Sequence, residues 1–227
     1  MRFQVVLNKD GGTLRSRDTD LLARDLRERL EGLGHTVEVV PVAGGDVEAA
    51  LDAAAEGACD VVMVGGGDGT VSAAAARLAG SEKALAVLPA GTMNLFARGL
   101  GIPLDLETAI DAMGRGKIRA VDVAAADERI FVHQFSVGLH AKLIRLREKK
   151  NFASRWGKMR ASCQAGLAAL LKPPRLEARL IVDGRELTVR TAGIGITNNL
   201  LGEGYRPPYA ARPDGGVLGV YVTRAGR

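Results

Sequence analysis

A short apolar run that ends in a glycine-rich loop constrains the fold of this chain more than any other stretch. Four strand-forming residues, 61–64, are followed at once by the loop Gly65-Gly66-Gly67-Asp68-Gly69-Thr70, and an alanine-rich segment that favours a helix spans 71–79. Glycines let backbone approach a ligand closely, and the free N–H groups at a helix N-terminus suit phosphate. The order strand, loop, helix therefore predicts a phosphate site, although neither GxxxxGK[ST] nor GxGxxG is present.

Asp68 is the unusual residue of this loop, because a carboxylate repels phosphate unless a cation intervenes or the carboxylate contacts a hydroxyl group. Its position predicts either a link to Mg²⁺ or a role in orienting a hydroxyl. The alternative is a tight turn in which Asp68 caps the following helix. Four glycines around one Asp are more than a turn requires, which favours the phosphate site.

Composition excludes several classes of protein. The chain has 227 residues, enough for one large domain or two small ones, and its 47% apolar content allows a packed core. An aromatic content of 4% argues against the stacking platforms of nucleic-acid binders. Cys59 and Cys163 form neither a disulfide framework nor a CxxC metal pair. With no signal peptide and no apolar run of membrane-spanning length, we expect a soluble cytoplasmic protein.

The positive charge is concentrated in one stretch. Net charge is +5, and Lys142 to Arg160 contains eight basic residues and one acidic residue, Glu148. Such a patch indicates an anionic partner surface. A solvated helix face is the ordinary alternative, but Phe152 and Trp156 within the stretch favour peripheral attachment to a membrane.

Two different patterns divide the chain near residue 120. Apolar strands alternate with helices up to that point, which predicts a doubly wound parallel sheet with helices on both faces in domain 1–120. Domain 121–227 instead predicts antiparallel strands: two around Asp127-Glu128, a hairpin at Asp183-Gly184, and two more at 194–199 and 217–223, with a helical stretch over 139–171.

A second loop repeats the logic of the first. The predicted strand 84–89 runs into Ala90-Gly91-Thr92-Met93-Asn94. In a parallel sheet both loops emerge at the carboxyl edge, where ligands bind, and Thr92 and Asn94 offer neutral donors and acceptors there.

Taken together, these segments resemble the diacylglycerol kinase catalytic domain family, specifically its soluble bacterial lipid kinases. The loop 66–70 alone is shared with NAD kinases and phosphofructokinases, whereas the segment Pro89 to Pro103 singles out lipid kinases. Further landmarks of that family match three later segments: Phe135–Ala141, Thr197–Asn199 and Asp214–Leu218.

The resemblance implies a nucleotide-binding α/β domain of the NAD kinase and phosphofructokinase type, followed by a β-rich domain that is an incomplete β-sandwich. It implies that ATP binds with Mg²⁺ in the cleft between the two domains. It also implies transfer of the γ-phosphoryl group to a lipid hydroxyl such as that of diacylglycerol. A homodimer is compatible with the resemblance but is not required by it. Site residues follow by position: Asp68 as the catalytic residue, and Asn8, Gly65, Gly66, Gly67, Gly69, Thr70, Ser72, Thr92 and Asn94 around the nucleotide.

The sequence departs from the family pattern at three places. Pro41 stands where the family often has a nucleotide-contacting Thr, and Asp214 is the only acid left in the family's metal-binding segment. The family's catalytic base is a Glu in a late Asp-Gly-Glu motif, which the resemblance would place beyond Arg227. Asp183-Gly184-Arg185-Glu186 is instead interpreted as a hairpin turn. Two alternatives therefore stay open: a kinase of a sphingoid base or NAD, and a non-catalytic nucleotide- or lipid-binding protein.

Overall fold

Two compact units make up the chain in a computed structural model, which describes residues 1–138, 175–204 and 208–224. Unit 1 comprises Met1–His133 and Asn198–Leu218, and unit 2 comprises Gln134–Thr197 and Gly219–Arg227. The predicted boundary near residue 120 lies inside unit 1, because the chain continues to pack there until His133 and later returns at Asn198.

A four-stranded parallel sheet forms the centre of unit 1, with strand order β2-β1-β3-β4. Its register pairs Phe3 with Val37 and Val61, and Val61 with Ala84, so the carboxyl ends of all four strands lie at one edge. The bounds are β1 Arg2–Asn8, β2 Thr36–Val42, β3 Val61–Gly66 and β4 Ala84–Pro89.

Helices cover both faces of this sheet, as predicted. Right-handed crossovers place α1 on one face and both α2 and α3 on the other. Helix α5 packs on α1 and β4, α2 packs on α3 and β1, and α4 is a short helix after β4. The bounds are α1 Thr19–Gly32, α2 Val47–Glu56, α3 Asp68–Leu78, α4 Leu95–Gly99 and α5 Leu106–Arg115.

On each face of the sheet, one arginine joins two helices by forming ion pairs with several carboxylates. Arg29 in α1 pairs with Asp25 of its own helix and with Glu107 and Asp111 of α5. On the opposite face, Arg77 of α3 pairs with two carboxylates of α2, Glu48 and Asp52. These ion pairs lie at the rim of an apolar interior whose fully buried side chains include Leu7, Leu26, Leu30, Leu51, Met63, Leu88 and Ile110.

Unit 1 also contains a small hairpin beyond the predicted boundary. Strands β5 (Ala124–Ala126) and β6 (Arg129–Phe131) pair antiparallel around Asp127-Glu128, which confirms the predicted turn. Strand β6 packs on α3, and Val132 is buried in the same core. This packing explains why the first unit extends past residue 120.

Unit 2 is an antiparallel sheet, in agreement with the predicted change of pattern. Strand β9 (Arg185–Asn198) pairs with β7 (Gln134–Gly138), β8 (Leu176–Val182) and β10 (Leu218–Arg224). The predicted strands at 186–192 and 194–199 are a single strand, since the glycines at 193 and 195 sit within continuous pairing to β7. The predicted helix over 139–171 lies outside the described residues, and a second layer that would make a β-sandwich stays a prediction.

The buried face of α1 gives a direct test of this packing. Leu26 is fully buried, whereas Leu21 on the same helix is 61% exposed. We expect Leu26→Ala to lower the free energy of unfolding by about 2–5 kcal/mol, because it removes buried methyl groups and leaves a cavity. Urea denaturation measures the loss, and Leu21→Ala is the matched control, expected to change it by less than about 0.5 kcal/mol. Equal losses of unfolding free energy in the two variants would contradict the orientation of α1, in which Leu26 faces the core and Leu21 faces solvent.

Candidate functional site

The candidate site lies where the four parallel strands end. Loops leave this edge after Asn8, Val42, Gly66 and Pro89, and hydrogen bonds connect them. The Lys9 amide donates to the Val42 carbonyl, joining the β1 and β2 loops. The edge is therefore a connected set of loops, as expected for a ligand site in a parallel sheet.

The glycine loop opens directly into helix α3. Gly67 is the N-cap residue and has no side chain to accept from the first-turn amides, and the first helical bond runs from Val71 N–H to the Gly67 carbonyl. Gly69 is exposed, and a Cβ placed on it would meet no atom within 4 Å. The uncapped first turn of α3 and the unobstructed side of Gly69 are therefore compatible with a bound phosphate group.

Asp68 caps a helix, but the helix is α4 rather than its own. Its Oδ1 accepts hydrogen bonds from the Leu95 N–H at 2.7 Å and the Phe96 N–H at 3.4 Å. This contact differs from the roles predicted from sequence, which were a link to Mg²⁺, the orientation of a hydroxyl, or a cap on the helix that directly follows the loop. The bond ties the glycine loop after β3 to the loop after β4, and a catalytic role for Asp68 stays a prediction.

Asn94 shapes the second loop with its own side chain. Its Oδ1 accepts from the Gly91 N–H at 2.8 Å, and its Nδ2 donates to the carbonyls of Pro89 and Gly91 at 3.1 and 3.0 Å. The residue adopts the left-handed conformation with φ 50°, which Asn tolerates better than most side chains. The amide is thus occupied within the loop, whereas Thr92 is exposed at the tip.

Asn8 connects the first strand to the phosphate loop. Its Nδ2 donates to the Thr70 hydroxyl at 3.3 Å, and its Oδ1 accepts from the Asp10 N–H at 3.1 Å. The predicted site residues Asn8 and Thr70 are therefore in contact. Ser72, also predicted, is the fifth residue of α3 and is half-buried.

Close packing explains why positions 65 and 66 of the loop are occupied by glycine. A Cβ on Gly65 would lie 2.6 Å from Leu7 Cδ2, and a Cβ on Gly66 would lie 2.7 Å from Thr70 Cβ. Both residues belong to β3 and are buried. Among the four loop glycines, a Cβ would meet open space at Gly69, whereas at Gly67 it would lie 3.6 Å from Gly91 Cα.

Close backbone contacts hold the loops together. A Cβ on Gly91 would lie 2.5 Å from Gly67 Cα, so the two glycine loops touch. On the other side, Gly12 has φ +46°, and a Cβ there would overlap the Ala90 carbonyl oxygen. That oxygen also accepts from the Thr13 N–H at 2.8 Å and from its hydroxyl at 3.2 Å. Gly12 and Thr13 were not predicted from sequence to be site residues, although they lie at the end of the polar loop that follows β1.

The predicted metal ligand Asp214 lies apart from these loops in sequence and has its own partner. Its Oδ1 is 3.6 Å from Arg212 Nε, and its side chain is 61% exposed. Within 1–138, 175–204 and 208–224, no three His, Cys, Asp or Glu side chains cluster so as to hold a metal ion. Among the described residues Asp214 is therefore not part of an acidic cluster, and its role as a metal ligand stays a prediction.

Two further departures from the family pattern have clear structural settings. Pro41 lies on the edge strand β2, where a residue without an N–H group is tolerated. Asp183 and Gly184 form the turn of the β8–β9 hairpin with φ 49° and 76°, and Glu186 pairs with Arg179 at 3.2 Å. These contacts agree with the interpretation of that motif as a turn.

Fold and site together define an α/β protein with a phosphate-type loop at the carboxyl edge of its sheet. The sequence profile of the diacylglycerol kinase catalytic domain matches residues 2–126, more than half of the chain. The protein therefore belongs to the diacylglycerol kinase catalytic domain family.

Individual relatives agree with this assignment. An uncharacterised protein of Synechocystis sp. is 32% identical over 139 residues, which cover 60% of this chain and 31% of the relative. A protein of Cronobacter sakazakii named "Probable lipid kinase YegS-like" is 33% identical over 129 residues, covering 55% of this chain and 43% of the relative. The matched stretch thus spans less than half the length of these curated relatives.

The same fold occurs in a solved structure. A diacylglycerol kinase of Bacillus anthracis superposes with a TM-score of 0.72 at 21% identity, covering 98% of this chain and 73% of that one. At this identity the similarity establishes the fold alone. The parallel sheet followed by an antiparallel unit is thus the arrangement of a known kinase structure.

The contact between Gly12 and Ala90 predicts a local effect of one methyl group. We expect Gly12→Ala to displace the loop 90–94 and to speed amide exchange there, because its new Cβ would overlap the Ala90 carbonyl. Gly34→Ala is the matched control, since Gly34 also has positive φ but would meet no atom within 4 Å. Both variants should lose about 1–2 kcal/mol from backbone strain, and Gly12→Ala should lose more. Identical exchange in loop 90–94 for the two variants would contradict the loop contact.

Proposed function

We propose that this chain is the nucleotide-binding part of an ATP-dependent lipid kinase, which transfers the γ-phosphoryl group of ATP to a lipid hydroxyl such as that of diacylglycerol. The observation that carries the proposal is the glycine loop at the N-terminus of α3, with Gly69 facing open space beside a second glycine loop. Family membership and the printed names of the relatives support the same class of reaction.

In this proposal, backbone groups bind the phosphates. The first-turn N–H groups of α3 lie beside the open space at Gly69, and they lack a capping side chain. Free N–H groups and the helix dipole together favour a polyanion at this place. Gly67 and Gly91 are in close contact, so the two glycine loops lie side by side at the sheet edge, where the triphosphate would bind.

The proposed reaction needs few covalent steps from the protein. The lipid hydroxyl oxygen forms a bond to the γ-phosphorus, the bond from that phosphorus to the β,γ-bridging oxygen breaks, and ADP leaves. The hydroxyl proton passes to a base, which the family resemblance implies to be a Glu in an Asp-Gly-Glu motif. Positioning and charge stabilisation account for most of phosphoryl-transfer catalysis, and the edge loops would supply the positioning.

Magnesium would be held mainly by the nucleotide itself. Mg²⁺ keeps several waters and uses one or two carboxylates plus substrate phosphates. Asp68 is the carboxylate of the phosphate loop, and both of its hydrogen bonds to α4 are made by Oδ1. When bound with ATP, Mg²⁺ neutralises charge that develops on the leaving group.

One assay separates this proposal from its alternatives. Full-length protein is incubated with ATP and Mg²⁺ and offered diacylglycerol, phosphatidylglycerol, sphingosine or NAD in parallel. Phosphorylation of diacylglycerol or another glycerolipid supports the proposal, whereas exclusive transfer to sphingosine or NAD selects the other kinase class. ATP binding without transfer to any acceptor would select the non-catalytic alternative.

Two substitutions at Asp68 distinguish its role as the cap of α4 from a role of its negative charge in phosphoryl transfer. Asp68→Asn keeps an oxygen that can accept from the Leu95 N–H, so we expect near-wild-type stability and a loss of transfer of at least about 100-fold, as for loss of a transition-state electrostatic contact. Asp68→Ala also removes the cap of α4 and should cost about 0.5–2 kcal/mol in urea denaturation. Full transfer activity in Asp68→Asn would leave Asp68 with a structural role only.

Reaching a lipid substrate requires contact with a bilayer, and we propose that the stretch Lys142–Arg160 provides it. The stretch lies outside the described residues, so its net charge of +7 is the supporting observation. None of the helices in the described part of the chain is long and apolar enough to cross a membrane. Each basic residue near an anionic surface contributes about 1 kcal/mol, so several together would give reversible attachment.

Charge removal tests this membrane contact. Replacing Lys149, Lys150, Arg155 and Lys158 by Gln should reduce sedimentation with anionic phospholipid vesicles at low salt, since four favourable charges are lost. The matched control replaces four exposed basic residues of unit 1 by Gln: Arg17, Arg24, Lys117 and Arg119. Equal loss in both variants would indicate a nonspecific charge effect and contradict a dedicated surface at 142–160.

A further inference from the structure

The chain returns to unit 1 over residues 198–218, which we call the return segment, and one carboxylate holds it there. Asp122 Oδ2 accepts a hydrogen bond from the Gly216 N–H at 2.6 Å and another from Asn199 Nδ2 at 3.0 Å. A single oxygen of Asp122, just before the β5–β6 hairpin, therefore connects the beginning and the end of the return segment.

The backbone of Asp122 adds two more bonds to the same segment. Its N–H donates to the Pro213 carbonyl at 2.8 Å, and its carbonyl accepts from Asn198 Nδ2 at 2.7 Å. Asn198 and Asn199 are 5% and 1% exposed, so these amides depend on protein partners. Asp122 thus bonds to the return segment at four residues.

Close packing fixes the end of the return segment against its beginning. A Cβ on Gly215 would lie 2.6 Å from Asn199 Oδ1, and Gly216 has φ +67°. Asn199 N–H donates to the Val217 carbonyl at 3.0 Å. The two glycines before Val217 therefore allow the close approach that brings the Gly216 N–H to Asp122.

The return segment also contacts the candidate site. A Cβ on Gly99, the last residue of α4, would lie 3.3 Å from the Ala210 carbonyl oxygen. The first residues of α4 are the ones capped by Asp68. Helix α4 is therefore fixed at one end by the phosphate loop and packed at the other end against the return segment.

The family resemblance would assign this region a metal ion at Asp214, but the carboxylates there already have protein partners. Asp214 faces Arg212, a cation that competes with any metal ion. Asp122 Oδ2 receives two N–H groups, whose positive hydrogens point at the oxygen and occupy its lone pairs. Asp122 Oδ2 is thus already used by two protein donors, and Asp214 has a cationic neighbour in Arg212.

We propose that Asp122 anchors the return segment to unit 1 by direct hydrogen bonds, and that this anchor works without a metal ion. Hydrogen bonds to a charged acceptor are about twice as strong as neutral ones, and two converge on this oxygen.

The test uses the full chain without nucleotide and measures amide hydrogen exchange over residues 208–218, in Mg²⁺ and in EDTA. Wild-type exchange should be the same in both buffers. Asp122→Ala should speed exchange of this segment by about tenfold or more in both buffers, because the Gly216 N–H and the Asn199 amide lose their acceptor. Asp214→Asn, the matched control, should exchange as wild type does.

Asp122→Asn keeps the test decisive if Asp122→Ala fails to fold. Asn retains one acceptor oxygen but loses the charge, so exchange over 208–218 should be intermediate between wild type and Asp122→Ala. If EDTA reduces the amide-exchange protection of residues 208–218 in the wild type, and Asp214→Asn shows the same reduced protection in Mg²⁺, a bound ion holds the segment. That result would overturn the proposal. Wild-type protection in Asp122→Asn would equally overturn it, because the charged anchor would then be unnecessary.

Discussion

The hydrogen bond from the Leu95 N–H to Asp68 joins the two halves of the candidate site. Parallel pairing aligns Gly66 with Pro89, so the loops that follow these residues leave the sheet side by side. Close backbone contact between Gly67 and Gly91 brings the loops together, and the Asp68 carboxylate then reaches the start of α4. The geometry of the edge depends on this bond, because the short α4 has no capping side chain of its own from Asn94.

Much of unit 1 could be predicted from sequence, because its strands are continuous apolar runs and its loops are marked by glycine. The run 61–64 and the loop after it gave β3 and α3 in nearly correct positions. The cap on α4 could not be predicted, since Asp68 and Leu95 are 27 residues apart and only the sheet register makes them neighbours. Sequence patterns report local structure, whereas this contact is set by tertiary pairing.

The division into units was harder to predict for a similar reason. Antiparallel pairing in the second half was recognisable from its turn residues, and Asp183-Gly184 indeed forms a hairpin turn. The return of the chain to unit 1 at Asn198 was not recognisable from sequence, because this residue is the last of a single strand, β9, whose other residues belong to unit 2. A change in pattern at residue 120 therefore marks a change in strand pairing rather than the end of the first packed unit.

Several carboxylates in unit 1 serve as acceptors for backbone N–H groups. Asp18 caps α1, Asp105 caps α5, and Asp60 accepts from the Arg2 side chain and N–H, which lower the pKa of Asp60 to about 2. Asp68 and Asp122 do the same for distant segments. An acidic residue beside a glycine loop is thus weak evidence for a metal ligand in this chain. Asp68 and Asp122 can therefore hold distant segments together by their hydrogen bonds alone, and this structural role is separate from any binding of a cation.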